Sequence, residues 1–325
     1  MFRCFSSIFI LVLGWPASLA LAQTAQFHGP IAGFVYSHAA GTVRPLLGVP
    51  GATQIGATAL SGLDFASIAP GGKWALIVQA GNTSLVEGLS ALNPAASPAG
   101  GLIAAVSRVV WNLDGSFALL YSSSGNQLQR VGFTDAGAAA DPPVDLSAWG
   151  PLTALAIDPA GAQIAFGVAG SGLYLFQAGQ SPAPISSMAQ PAAAAFDPTG
   201  RRLYAVDLAQ QQISEFDSGS SAIAFASLAQ SNGSAVTPVG LAVSGDGHYL
   251  MLPDSASQLV WVYDTTSGTM TNSIPLDFTP SRFEAISAAP SFLLNGENSA
   301  EWLMVLDGRQ APGISFVPAS QGVAQ

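Results

Sequence analysis

The sequence predicts an all-β protein built from a repeated four-stranded unit, and three observations carry the prediction. An apolar strand, a tight turn ending in glycine and a second apolar strand recur along the chain, with turn glycines at 72, 115, 161, 200 and 247. The steps between them are 43, 46, 39 and 47 residues, the spacing at which four-stranded blades repeat around an axis. The strand after each turn is apolar at consecutive positions, as in Leu76-Ile77, Leu119-Leu120, Ala165-Phe166, Tyr204-Ala205 and Met251-Leu252. Consecutive side chains of a strand point to opposite faces, so both faces of these strands are covered. Neighbouring blades cover the middle strands of a propeller in that way. No helical period of useful length follows the N-terminal segment. The expectation is a β-propeller of six or seven four-stranded blades.

The first 22 residues read as a cleavable signal peptide. Arg3 gives the positive start, Ile8 to Leu13 the apolar core, and Ala20-Leu21-Ala22 the small-residue cleavage site before Gln23. The apolar run is shorter than the ~20 residues that span a membrane, so no transmembrane segment is expected once it is removed. The remaining 23–325 are expected to form a single propeller domain, secreted or periplasmic. Cys4, the only cysteine, lies inside the signal, and the mature chain therefore has no disulfide or thiolate chemistry.

The first hairpin, Ala32 to Tyr36 and Val43 to Leu47 around Gly41, has no apolar strand of its own before it. Full units follow at Ser67–Val78, Val109–Tyr121, Leu155–Phe166, Ala193–Phe216 and Leu241–Leu252. In the fourth of these, Asp197-Pro198-Thr199-Gly200 suits a type I turn closed by a left-handed glycine, a hairpin signal. A last, degenerate unit takes Ala285 to Pro290 as its first strand and Trp302 to Leu306 as its second, with an insertion around Asn295 to Ser299. Ile314 to Val317 is available as a third strand. Pairing of N- and C-terminal strands in one blade is expected to close the ring and remove an exposed edge.

Composition narrows the function. Of the 325 residues 49% are apolar and only 9% charged, and the net charge is −10. With nine Lys and Arg in the whole chain there is no basic patch to neutralise phosphates, which argues against nucleic acid. There is no G-x-S-x-G, H-E-x-x-H, EF-hand or phosphate-loop pattern. His28, His38 and His248 are far apart and read as surface residues. Trp74, Trp111, Trp261 and Trp302 lie in or beside strands and read as packing between blades rather than as sugar platforms. The Pro-, Ala- and Ser-rich runs 93–101 and 177–191 read as outer connections.

Leu203-Tyr204-Ala205-Val206-Asp207 followed by Gln212-Ile213-Ser214-Glu215-Phe216-Asp217 resembles the strand rhythm of the YVTN and NHL-like groups of bacterial propeller repeats. Leu259 to Gly268 resembles their third strand and turn. Lactonase-like and WD-repeat propellers are similar at greater distance. The resemblance covers roughly residues 60 to 275 and implies the architecture. It does not fix an activity, because these groups contain binders, scaffolds and metal-dependent lactonases.

Seven residues after each turn glycine the chain reaches the loop between second and third strands, where Gln79, Ser122, Val168, Asp207 and Asp254 stand. Such loops face one opening of a propeller, so Gln79, Ser122, Asp207 and Asp254 form the candidate ligand face. Asp207 and Asp254, on adjacent blades, offer carboxylates to a Ca²⁺ or to a basic group; equally, each can bond its own loop backbone as an Asx-turn. Glu284, Asn126 and Asn82 are further candidate oxygen ligands, but the order of a lactonase ligand set is not matched. A zinc site from the histidines is not expected, and no catalytic residue is assigned. The expected function is an exported, non-catalytic module or scaffold that binds a protein or glycan on its disc face, with no cofactor beyond a conceivable Ca²⁺. The alternative is a metal-dependent hydrolase of the lactonase type.

Overall fold

The computed structural model describes residues 29–91, 94–217, 223–228, 236–296, 303–309 and 311–318. The segment 1–22 with Cys4, His28 and Trp302 lies outside the described residues.

The recurring turn forms because its residues suit it. The Gly200 N–H donates to the Asp197 carbonyl at 2.9 Å, and Gly200 sits at φ +71°, which only glycine adopts freely. Asp197 Oδ1 accepts the Arg202 N–H at 3.0 Å, tying the turn to the next strand. Asn112 Oδ1 accepts from the Phe117 N–H, Asp158 Oδ1 from Gln163 and Ser244 Oγ from Tyr249, each at 2.9 Å. A short polar side chain thus satisfies the first backbone donor of the second strand in four successive units.

The strands assemble into seven separate antiparallel sheets, each formed from one stretch of sequence. They span residues 31–55, 65–98, 108–145, 152–186, 191–227, 242–275 and 284–317, numbered here as blades one to seven. Four-strand meanders are the rule, with two departures. Blade one holds three strands, Ile31–Ser37, Thr42–Val49 and Ala52–Ile55. In blade three the outer strand is split, Gly137–Ala140 and Val144–Asp145 both pairing with Gln127–Thr134. The break falls at Asp141-Pro142-Pro143, where proline has no N–H to give to a ladder.

Seven apolar clusters hold the sheets face to face, one for each junction between neighbouring blades, the seventh-to-first junction included. The two aligned positions after each turn glycine divide cleanly between them. Leu76, Leu119, Ala165, Tyr204 and Met251 pack against the following blade, and Ile77, Leu120, Phe166, Ala205 and Leu252 against the preceding one. The ring is therefore a closed seven-bladed propeller. No helix among the described residues is long and apolar enough to cross a membrane.

Two expectations about the ends are corrected. Among the described residues the terminal strands do not share a blade: Ile31–Ile55 and Glu284–Val317 form distinct sheets. They meet through side chains, Val35, Leu46 and Ile55 against Ile286, Leu293, Leu303, Val305 and Val317. Gly33 allows the close approach, since a Cβ there would lie 2.5 Å from the Ile286 carbonyl oxygen. The reason is that the last unit is complete. Its second strand is Ser291–Leu293, before the insertion, and Leu303–Asp307 is its third, so Gly313–Val317 fills its own fourth place.

Candidate functional site

In a four-strand meander the connections alternate between the two rims of the disc. The loops between second and third strands carry the residues expected to face a ligand, and their hydrogen bonds are specific. Asp207 is buried; its Oδ1 accepts from the N–H of Ala209 at 3.0 Å and of Gln190 at 3.1 Å. Asp254 repeats the arrangement one blade on, Oδ1 accepting from Ala256 at 3.1 Å and Thr237 at 2.7 Å, with the Ser257 hydroxyl donating to Oδ2 at 2.5 Å. Each carboxylate closes its own Asx-turn and also pins the strand-to-strand connection entering its blade. Ser122 is buried, its Oγ accepting the Gly125 N–H at 3.3 Å. Gln79 is exposed and donates from Nε2 to the Ser61 carbonyl at 3.4 Å. Val168 is buried between blades three and four. Asp207 Oδ2 has no partner among the described residues.

The other candidate ligands are dispersed. Glu284 is exposed at the start of the inner strand of blade seven. Asn126 donates from Nδ2 to the Leu146 carbonyl at 2.7 Å and accepts the Tyr121 hydroxyl at 3.1 Å. Asn82 Nδ2 reaches the Ala80 carbonyl at 3.4 Å. Among the described residues no three His, Cys, Asp or Glu side chains gather as a metal site would require. Trp74 and Trp111 pack on Phe133, with ring centroids 5.4 and 5.0 Å away. Trp261 is buried between blades five and six.

The opposite rim, which carries the turns between first and second strands, holds two depressions. At its centre the inner strands leave a small apolar mouth of ≈ 140 Å³, lined by Trp111, Leu113, Phe196 and Leu241 among others. Between blades five and six lies a larger cleft of ≈ 340 Å³ lined by Asp197, Arg201, Arg202, Tyr204, Asp217, Asp246, His248 and Thr265. In a chain that is only 9% charged, this gathering of both signs stands apart.

The turns build the cleft. Asp197 and Arg201 come from the first turn of blade five, and Asp246 and His248 from that of blade six. Arg202 reaches across, Nη1 donating to the Thr265 carbonyl at 3.5 Å while Nε lies 3.5 Å from Glu215 Oε1. Burial raises the Tyr204 phenol above its ordinary value, and a hydrogen bond from Arg202 opposes that rise. Partial burial pushes Asp246 upward, but the Ser244 hydroxyl and the His248 N–H outweigh it and hold the carboxyl below its usual range. Arg201 and His248 are exposed. In sequence His248 stands alone as a surface residue; turns one blade apart in the repeat register come side by side, which no local pattern shows.

No family model matches the chain, and no curated protein matches it in sequence. Among solved structures, a functionally unknown protein from Desulfotomaculum acetoxidans DSM 771 superposes with a TM-score of 0.59 at 13% identity, over 88% of this chain and 99% of that one. A nidogen/laminin complex matches with a TM-score of 0.48 at 10% identity, over 75% of this chain and 93% of that one. At 13% identity the first likeness speaks for the fold alone: by architecture, this chain is a seven-bladed β-propeller.

Proposed function

We propose that this chain is an exported, non-catalytic propeller of the YVTN/NHL-like type that binds a protein partner on its disc face, through the cleft between blades five and six. Export rests on the signal-like residues 1–22, and the repeat type on the rhythm of Leu203–Asp207 and Gln212–Asp217. The observation that carries the binding reading is the cleft itself, where Arg201, Arg202, His248 and three aspartates line one depression. Arg and Tyr are enriched among residues that dominate protein interfaces, and charges of both signs fix register and speed encounter. On this reading the partner sits on the rim opposite Gln79, Ser122, Asp207 and Asp254. The bonds of Asp207 and Asp254 to their loops likewise favour the binder over the lactonase-type alternative, which needs several oxygens turned toward one cation.

The test compares immobilised mature chain with an Arg201→Glu/His248→Glu variant of unchanged thermal melt, each exposed to extracytoplasmic extract of the native host. A protein retained by the wild type and lost from the variant is expected. Equal retention contradicts the cleft, and turnover of a lactone or ester panel by the wild type contradicts the non-catalytic reading.

A further inference from the structure

A third depression lies on the circumference, running between the 178–182 connection of blade four and the connection that carries Trp149. It is a groove of ≈ 570 Å³ between the outer parts of blades three and four, within the ~300–1,000 Å³ of small-ligand sites. Its floor is apolar, formed by Leu128, Ile164 and Phe176, and Trp149 stands in its wall. The indole is half-buried and braced edge-to-face by Phe166 and Tyr174, with centroids 6.3 and 6.0 Å away. A braced ring offers apolar surface at little entropic cost.

The polar groups around it are weighted toward acceptors. Arg130 is engaged: Nε donates to Asp141 at 2.7 Å, Nη1 to the Gly161 carbonyl at 2.7 Å, and its guanidinium carbon lies 5.1 Å from the Phe117 ring centroid. One wall is Pro142-Pro143 and the other reaches Pro182, which supply carbonyl acceptors and no N–H. A peptide adding a strand here would find no donors along those stretches. Asp145 is exposed, and its Oδ1 accepts the Ser147 N–H at 2.8 Å. That bond holds its carboxyl below the usual range, leaving an ionised acceptor at the groove. Gln180 and Ser181, exposed on the far wall, bring the complementary donors.

A fitting ligand is donor-rich, carries an apolar face for the indole and has no negative charge to meet Asp145. We propose that this groove is a binding site for a neutral saccharide, stacked on Trp149 and hydrogen-bonded through its hydroxyls to Asp145. The site is independent of the disc-face cleft.

An array of neutral oligosaccharides (glucans, mannans and chitooligosaccharides), with calorimetric titration of the strongest hit, tests it. At least one saccharide should bind, and Trp149→Ala should abolish binding. Because Trp149 also packs on Phe166 and Tyr174, Asp145→Ala and Gln180→Ala at exposed positions give a second reading. Each should weaken binding about tenfold, as expected for the loss of a hydrogen bond to a charged group or an amide, with thermal melts matching the wild type. Three results overturn the proposal: no neutral saccharide bound, binding untouched by Asp145→Ala and Gln180→Ala, or a decaproline peptide occupying the groove in place of sugar.

Discussion

Asp207 and Asp254 hold the same place in successive blades, and each spends a carboxylate oxygen on two backbone N–H groups. Their position was legible in the sequence, because it is a fixed distance from a glycine that only one turn conformation accepts. Their bonding was not, because the second donor of each lies 17 residues back, outside any local pattern. Tyr263 shows the opposite situation. It is buried, its hydroxyl has no hydrogen-bond partner among the described residues, and burial reinforced by the charge of Asp254 pushes the phenol up to about 12. An unsatisfied buried hydroxyl is a cost that phenylalanine does not carry. Tyr263→Phe should therefore leave the melting temperature unchanged or raise it, and absorbance at alkaline pH should show a highest tyrosine ionisation step well above the usual ~10 that the variant lacks. A clear drop in melting temperature would expose a missed partner for the hydroxyl.

At the scale of the element, the turn is the unit that the sequence states most openly. Its glycine, its leading Asp, Asn or Ser and the paired apolar positions after it are all local, so their spacing alone predicts that both faces of the middle strands are covered. Gly200→Val forces a β-branched residue to φ +71° and should cost on the order of 1–3 kcal/mol. Gly313→Val, at the start of a strand with open space around its Cβ direction and an ordinary φ, should be close to neutral in denaturant unfolding. Equal losses would mean that the turn register is wrong. Legibility ends where locality ends. The insertion before Leu303 hid the short strand Ser291–Leu293, and Trp149, in a connection outside the repeat register, carried no signal that it walls a groove.

For the whole molecule, export is the first expectation to check. Mass spectrometry of the protein recovered outside the cytoplasm should find a chain beginning at Gln23, and an intact Met1 would refute cleavage. Closure matters more, because a cleft between blades keeps its shape only if every blade is held on both sides. A full set of contiguous blades does not need a strand shared between the ends, and the seventh cluster shows side chains performing that join. Val35 and Ile286 are both buried in that cluster, and Val35 lies two residues from Gly33, on the same strand face, where the backbone meets Ile286. The most direct test is a double-mutant cycle on Val35→Ala and Ile286→Ala, read by chemical denaturation. Face-to-face closure predicts one cooperative transition and a coupling of roughly 0.5–3 kcal/mol between the two sites. Strict additivity, or a separate early transition for the terminal blades, would contradict a ring closed at this junction.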